Sequence, residues 1–179
     1  MPTRPQSPYA LQKLVGEQYM KMFTTLYGLE TVTIRYFNVF GPRQDPSSPY
    51  SGVISVFIRA LLDKTAPTIY GDGEQTRDFT YIANVVDGVL RACTAEVSGM
   101  VLNVATGSRI SLNDLFRALR ELVGSTVNPS FGPSRSGDVH DSQADISRAR
   151  QLLGYEPIVP FEEGLRRTVD WYRTQRSFA

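Results

Sequence analysis

Apolar and polar positions divide the chain into helical and extended stretches. From Tyr9 to Tyr27, apolar side chains recur at Leu11, Leu14, Val15, Tyr19, Met22, Phe23 and Leu26, the spacing of one helix face. Ser7-Pro8 offers an N-cap and a proline for the first helical position, and Gly28 offers the stop. Thr31 to Asn38 is β-branched and aromatic, and reads as a mostly buried strand. A helix, a short turn and a buried strand make half of a βαβ unit. Val53–Leu62 has helical spacing, with Val53, Val56, Phe57, Ala60 and Leu61 apolar. Thr68–Tyr70 is a short strand ended by the turn Gly71-Asp72-Gly73, and Thr76–Tyr81 is extended. The pattern then predicts a helix at Asn84–Thr94, a strand at Met100–Val104, and a helix capped by Ser111 with Asp114 as its partner. Residues 126–142 read as irregular or short strand. Asp145–Leu153 is a short helix closed by Gly154, and Phe161–Thr174 a last helix with Leu165, Val169, Trp171 and Tyr172 among its apolar positions. No internal repeat, low-complexity tract or flexible linker interrupts this order.

Composition narrows the class. A chain of 179 residues holds one domain, or a small domain and part of another, and 41% hydrophobic with 21% charged residues is globular. Net charge is +1 without a basic block, so nothing points to nucleic acid or to an anionic membrane. There is no run of eighteen apolar residues and no hydrophobic leader at the start, which leads us to expect a soluble, cytoplasmic protein. The sole cysteine, Cys93, falls in an apolar helical pattern and is expected in the core. One histidine and one cysteine, far apart, argue against a metal site or a Cys/His nucleophile.

Several residues are of types that carry chemistry. Tyr9 and Lys13 stand one helical turn apart, and a phenol beside an ammonium can exchange protons near neutral pH. A surface pair without chemistry has the same spacing. Asn38 ends the predicted strand next to a glycine-bearing loop, the edge at which open α/β sheets bind ligands; an asparagine satisfying local backbone groups is the alternative. Arg77 and Arg135 offer planar forks suited to phosphate oxygens, or are solvated surface arginines. Asp138 could accept from a sugar hydroxyl, or be a turn aspartate after Gly137. His140 reads as a loop residue. Gly71-x-Gly73 is not a dinucleotide fingerprint, because Thr76 stands where the third glycine would be, and no glycine-rich phosphate loop occurs in the sequence.

Five segments occur in family order: Ser-Pro-Tyr9-Ala-Leu-Gln-Lys13, Arg35-Tyr-Phe-Asn-Val-Phe-Gly-Pro-Arg43, Tyr70-Gly-Asp-Gly-Glu-Gln-Thr-Arg-Asp-Phe79, Arg135-Ser-Gly-Asp138 and Leu153-Gly-Tyr-Glu-Pro157. From about Pro5 onward the chain closely resembles the C-terminal half of the extended short-chain dehydrogenase/reductases, the NAD-dependent sugar-nucleotide epimerase/dehydratase family, and looks most like UDP-hexose 4-epimerases such as the UDP-glucose type. The resemblance implies an α/β fold: the C-terminal part of a Rossmann-type parallel sheet plus a small α/β substrate-binding domain. Residues 1–50 would be the remnant of the NAD-binding domain and 51–179 the substrate domain, with part of the sequence near 76–105 returning to the Rossmann sheet.

It implies roles as well. Tyr9 as phenolate would take the proton of the sugar 4-hydroxyl during oxidation to a 4-keto intermediate. Lys13 would favour the phenolate and hold the nicotinamide ribose of NAD. Tyr36 would lie near the nicotinamide. Asn38, Arg77 and Arg135 would hold the UDP diphosphate, Asp138 the ribose, and Tyr70 would pack near the uracil. The Tyr9–Tyr27 helix would form a homodimer. The family's glycine-rich NAD loop and its first strands have no counterpart here. Met1 is therefore expected to be an internal methionine of a truncated, partial or mis-started sequence, and the isolated chain to bind NAD poorly and epimerise little. Its apolar helix face would lack the strands it should cover, exposing apolar surface and favouring aggregation. Two other readings stand beside the epimerase: a nucleotide-sugar 4,6-dehydratase or decarboxylase of the same family, and a non-catalytic remnant that binds nucleotide sugar or a partner.

Overall fold

The computed structural model describes residues 3–48, 52–134 and 139–176. In chain order its elements are α1 (Pro8–Tyr27), β1 (Val32–Tyr36), β2 (Val39–Phe40), α2 (Val53–Leu62), β3 (Thr68–Tyr70), β4 (Thr76–Arg77), β5 (Thr80–Tyr81), α3 (Ile82–Thr94), β6 (Met100–Val104), β7 (Ile110–Ser111), α4 (Leu112–Val123), β8 (Ser130–Gly132), α5 (Ser147–Leu153) and α6 (Phe161–Arg176).

The helix ends follow local chemistry. Ser7 accepts from the Ala10 N–H with Pro8 in the first turn, and Gly28 closes α1 in the left-handed conformation. Ser111 accepts from the Asp114 N–H and donates its own proton to the Asp114 carboxylate, tying both ends of the first turn of α4.

β1 pairs in parallel with β6, in register from Val32 opposite Met100 to Tyr36 opposite Val104. The strand is half-buried rather than mostly buried, since α1 covers it loosely and β6 is its one partner among the described residues. The predicted strand breaks at Phe37. Asn38 turns the backbone with φ of 30°, and β2 then pairs in parallel with β5. β3 pairs with β8 and β4 with β7.

Two hydrophobic clusters result. The larger packs Phe57 and Leu61 of α2, Phe116 and Leu119 of α4, and Leu165, Val169 and Tyr172 of α6 around Phe40, Phe79 and Tyr81. In α2 the buried face is Ile54, Phe57, Ile58 and Leu61, while Val56 stands outside it. The smaller cluster joins Leu102, Val104 and Ala105 to Ile146, Ala149, Leu153 and Tyr155. Here Gly88 of α3 lies so close to β6 that a Cβ would come within 2.7 Å of Val104. Cys93 is exposed, contrary to the core expectation: Ala92 takes the inward position and the next residue turns out.

α1 is different. No residue of it is buried, and Leu11, Met22, Phe23 and Leu26 are all exposed. No helix among the described residues is long and apolar enough to cross a membrane.

Candidate active site

Tyr9 and Lys13 share the N-terminal half of α1. Tyr9 is 67% exposed, and the Lys13 ammonium lies 5.3 Å from the centre of its ring, within cation–π range. The helix is fixed to β1 at one place and to the residue before β1 at another. Arg35 donates from Nε and Nη2 to the two carboxylate oxygens of Glu17, each at 2.6 Å. These hydrogen bonds hold the guanidinium above its usual pKa, against the opposing effect of burial. Nearer the other end, the Thr31 hydroxyl donates to the Met20 carbonyl at 3.1 Å and meets the Thr24 hydroxyl at 2.7 Å.

Tyr36 is the last residue of β1 and is exposed, at the C-terminal edge of the strand. Asn38 follows it. Its amide donates to the Asp78 carbonyl at 3.3 Å, and its own carbonyl accepts from the Thr80 N–H. The backbone-satisfying role weighed for this residue is therefore present. Arg77 donates from Nη1 to the carbonyls of Thr76 and His140, at 2.8 and 3.1 Å.

Asp78, next to Arg77, holds this region together, and sequence reasoning missed it. It is fully buried, and its carboxylate accepts from the Thr106 N–H and hydroxyl, the Gly107 N–H and the Ala144 N–H. A buried charge with that many donors is satisfied without a counterion. It draws the β4–β5 link, the loop after β6 and the segment before α5 to one point. The available signal was a carboxylate inside an otherwise core-forming run, Thr76–Tyr81.

Tyr70 lines an open cavity of about 320 Å³ with Gly71, Asp72, Gln75, Ser134, Val139 and His140. The Gln75 side chain, mostly buried, donates to the Tyr70 carbonyl at 2.5 Å and so ties the turn across its base. Gly73 has φ of 81°, and a Cβ there would come within 2.1 Å of Asn113, so the turn requires glycine. The residues after the 135–138 stretch zip onto β4: Thr76 N–H donates to the His140 carbonyl, and Ser142 N–H to the Thr76 carbonyl. The Thr76 hydroxyl also donates to Asp141, which with His140 lowers the pKa of that carboxyl. His140 is exposed, as expected of a loop residue. Arg135 and Asp138 lie outside the described residues; their flanks, Ser134 and Val139, line the cavity. Asn38 thus meets the backbone of Asp78, the residue after Arg77, and the Arg77 side chain reaches through the His140 carbonyl toward the cavity at Tyr70. Tyr9, Lys13 and Tyr36 form a second group along α1 and β1. Among the described residues no group of acidic, cysteine or histidine side chains could hold a metal ion.

Parallel pairing of β1 with β6, helices on the strands and polar residues at the strand ends define an α/β protein of Rossmann type. Residues 1–105 match the model of the NAD dependent epimerase/dehydratase family, and the chain belongs to that family. It is 41% identical to a UDP-glucose 4-epimerase of Mycolicibacterium smegmatis, over 98% of this chain and 56% of that protein. It superposes with a TM-score of 0.93 on UDP-glucose 4-epimerase of Thermotoga maritima solved with UDP-glucose, at 39% identity over 97% of this chain and 55% of that one. With a UDP-N-acetylglucosamine 4-epimerase of Methanobrevibacter ruminantium solved with UDP-N-acetylmuramic acid, the TM-score is 0.92 and the identity 42%, over 98% and 58% of the two chains. The chain therefore spans just over half the length of these relatives.

The family is NAD-dependent. The exposed Tyr9 ring with the Lys13 ammonium against it, and the exposed Tyr36 at a strand end, offer hydroxyl, ammonium and aromatic groups of the kinds that a ribose and a nicotinamide ring can bind. No glycine-rich strand-to-helix turn, the usual pyrophosphate cradle, occurs in the sequence.

Proposed function

We propose that this chain provides the proton-transfer residues and the substrate clamp of a UDP-hexose 4-epimerase, of the UDP-glucose type. The observation that carries the reading is the Lys13 ammonium held against the exposed Tyr9 phenol, on a helix anchored to β1. Tyr9 takes the proton of the sugar 4-hydroxyl as carbon 4 becomes a ketone, and returns it when the carbon is reduced from the other face. NAD, when bound, supplies the acceptance and return of hydride at carbon 4. Lys13 would donate to the nicotinamide ribose of bound NAD. Tyr36, exposed at the end of β1, would contact the nicotinamide. Asn38 and Arg77 hold the diphosphate with Arg135, and Asp138 takes the ribose. The Tyr70 ring at its cavity packs near the uracil.

In this reading residues 1–50 belong to the cofactor domain and 51–179 to the substrate domain, and part of the sequence near 76–105 returns to the sheet. Pairing of β6 with β1 supports that return. The uncovered apolar side chains of α1 support a homodimer through the Tyr9–Tyr27 helix.

Calorimetric titration of the chain with UDP tests the clamp. Binding is expected, and Arg77→Ala should weaken it roughly tenfold, about 1.4 kcal/mol. No heat with a folded chain would overturn the substrate reading. A stable 4-keto-6-deoxy product from UDP-glucose and NAD would replace the epimerase with a dehydratase.

A further inference from the structure

Tyr9, Lys13, Glu17 and Lys21 follow one another at four-residue intervals along α1. Opposite charges at that spacing pair across a helix turn. Glu17 therefore has an ammonium within reach on either side. Among the described residues it pairs with neither, because Arg35 holds both of its oxygens at 2.6 Å. The Glu17 side chain is only 11% exposed, so its charge needs a partner. A bidentate guanidinium satisfies a carboxylate better and more rigidly than a single ammonium. Lys21 lines a cavity with Gln18, Met22, Thr25 and Leu26.

We infer that Arg35 is a positioning residue that keeps Lys13 against Tyr9 by withholding Glu17 from it. Its importance for turnover rests on the roles proposed above for Tyr9 and Lys13; the arrangement itself does not. Without Arg35, Glu17 is a largely covered carboxylate lacking a counterion, with Lys13 one turn away. Pairing with Glu17 moves the ammonium one turn toward the C-terminus and off the Tyr9 ring. An ion pair that merely stapled α1 to β1 would loosen the helix when either partner was lost. A withheld carboxylate makes a different demand: loss of Arg35 disturbs Lys13, and removal of Glu17 as well restores it.

The three lysines, Lys13, Lys21 and Lys64, make this readable by NMR of the chain labelled with carbon-13 lysine. The ring of Tyr9 shifts the Lys13 ε-methylene signal, and Tyr9→Leu marks its position without the ring. Arg35→Met should move that signal most of the way to the Tyr9→Leu position while Lys64 stays in place. Glu17→Gln alone should leave it unmoved, and Glu17→Gln with Arg35→Met should return it to the wild-type position. If Arg35→Met does not fold, Arg35→Gln carries the same expectation, being neutral and polar. An unmoved Lys13 signal in the arginine variant, a response from Lys21 instead, or a double variant as displaced as the single one would each overturn the inference. The measurement needs neither ligand nor turnover, so it stands apart from the UDP titration.

Discussion

Helices α1 and α4 begin and end alike. Each opens on a serine whose hydroxyl accepts from the third N–H along, and each closes on a left-handed glycine. Each carries an apolar stripe at helical spacing. Yet α4 buries Leu115, Phe116 and Leu119 between α2 and α6, whereas α1 buries nothing. The difference teaches that caps and periodicity make a helix, while its neighbours decide whether the stripe becomes core. On α4 the apolar residues hold the fold. On α1 the fold depends on polar anchors, Glu17 with Arg35 and Thr24 with Thr31, and the apolar side chains remain available for another surface.

That contrast can be broken most directly by cutting the same side chain from each helix. Leu119→Ala, at a fully buried position, should cost about 2–5 kcal/mol in urea unfolding, through lost transfer energy and the cavity left behind. Leu26→Ala, at a position 63% exposed, should change stability by no more than about 0.5 kcal/mol. Equal losses would mean that α1 is covered in solution, by a second copy or otherwise. Asp78→Asn sharpens the polar side of the comparison. The amide presents its own N–H groups to backbone donors that had a carboxylate, and the expected loss is about 2–3 kcal/mol by the same measurement. A near-neutral result would dismiss Asp78 as the tie between these segments.

The smallest effect belongs to the exposed network of α6. Arg166 and Arg167 hydrogen-bond Glu163 and lower its pKa from 4.5 to about 2. Its folded value lies below its unfolded one, so its contribution is present above pH 4.5 and fades as pH falls toward 2. Glu163→Gln should therefore lie slightly below wild type at neutral pH and converge with it in acid. The carboxylate is at the surface, so the gap should be small and should narrow with salt.

What the sequence made legible was what neighbours along the chain determine. Ser7, Gly28, Ser111 and Gly154 mark helix ends through contacts within a few residues, and the helix and strand order follows from periodicity. The misses involve distant partners. The pattern starts α3 at Asn84, but the helix begins at Ile82, immediately after β5 and without a side-chain cap. Asn84 is instead buried, exchanging hydrogen bonds with the Val159 backbone. Asp78 finds its donors in Thr106, Gly107 and Ala144, and no local pattern announces such partners. Tyr9, Lys13, Asn38, Tyr70 and Arg77 were legible as candidates because motif order isolates them, but Glu17 and Arg35 acquire meaning only once α1 lies on β1.

The order in which the chain visits its two hydrophobic clusters has a further consequence. Counting their buried members, it supplies the larger from Phe40 to Tyr81, the smaller from Ala92 to Ala105, the larger again from Leu115 to Leu119, the smaller from Ala144 to Tyr155, and the larger once more from Val159 to Tyr172. The two are interleaved, so no single scission can deliver either one whole and separate from the other. Loosening one drags on four crossings into its neighbour, which couples the sheet edge carrying Tyr36 to the helices behind Tyr70 as parts of one melting unit.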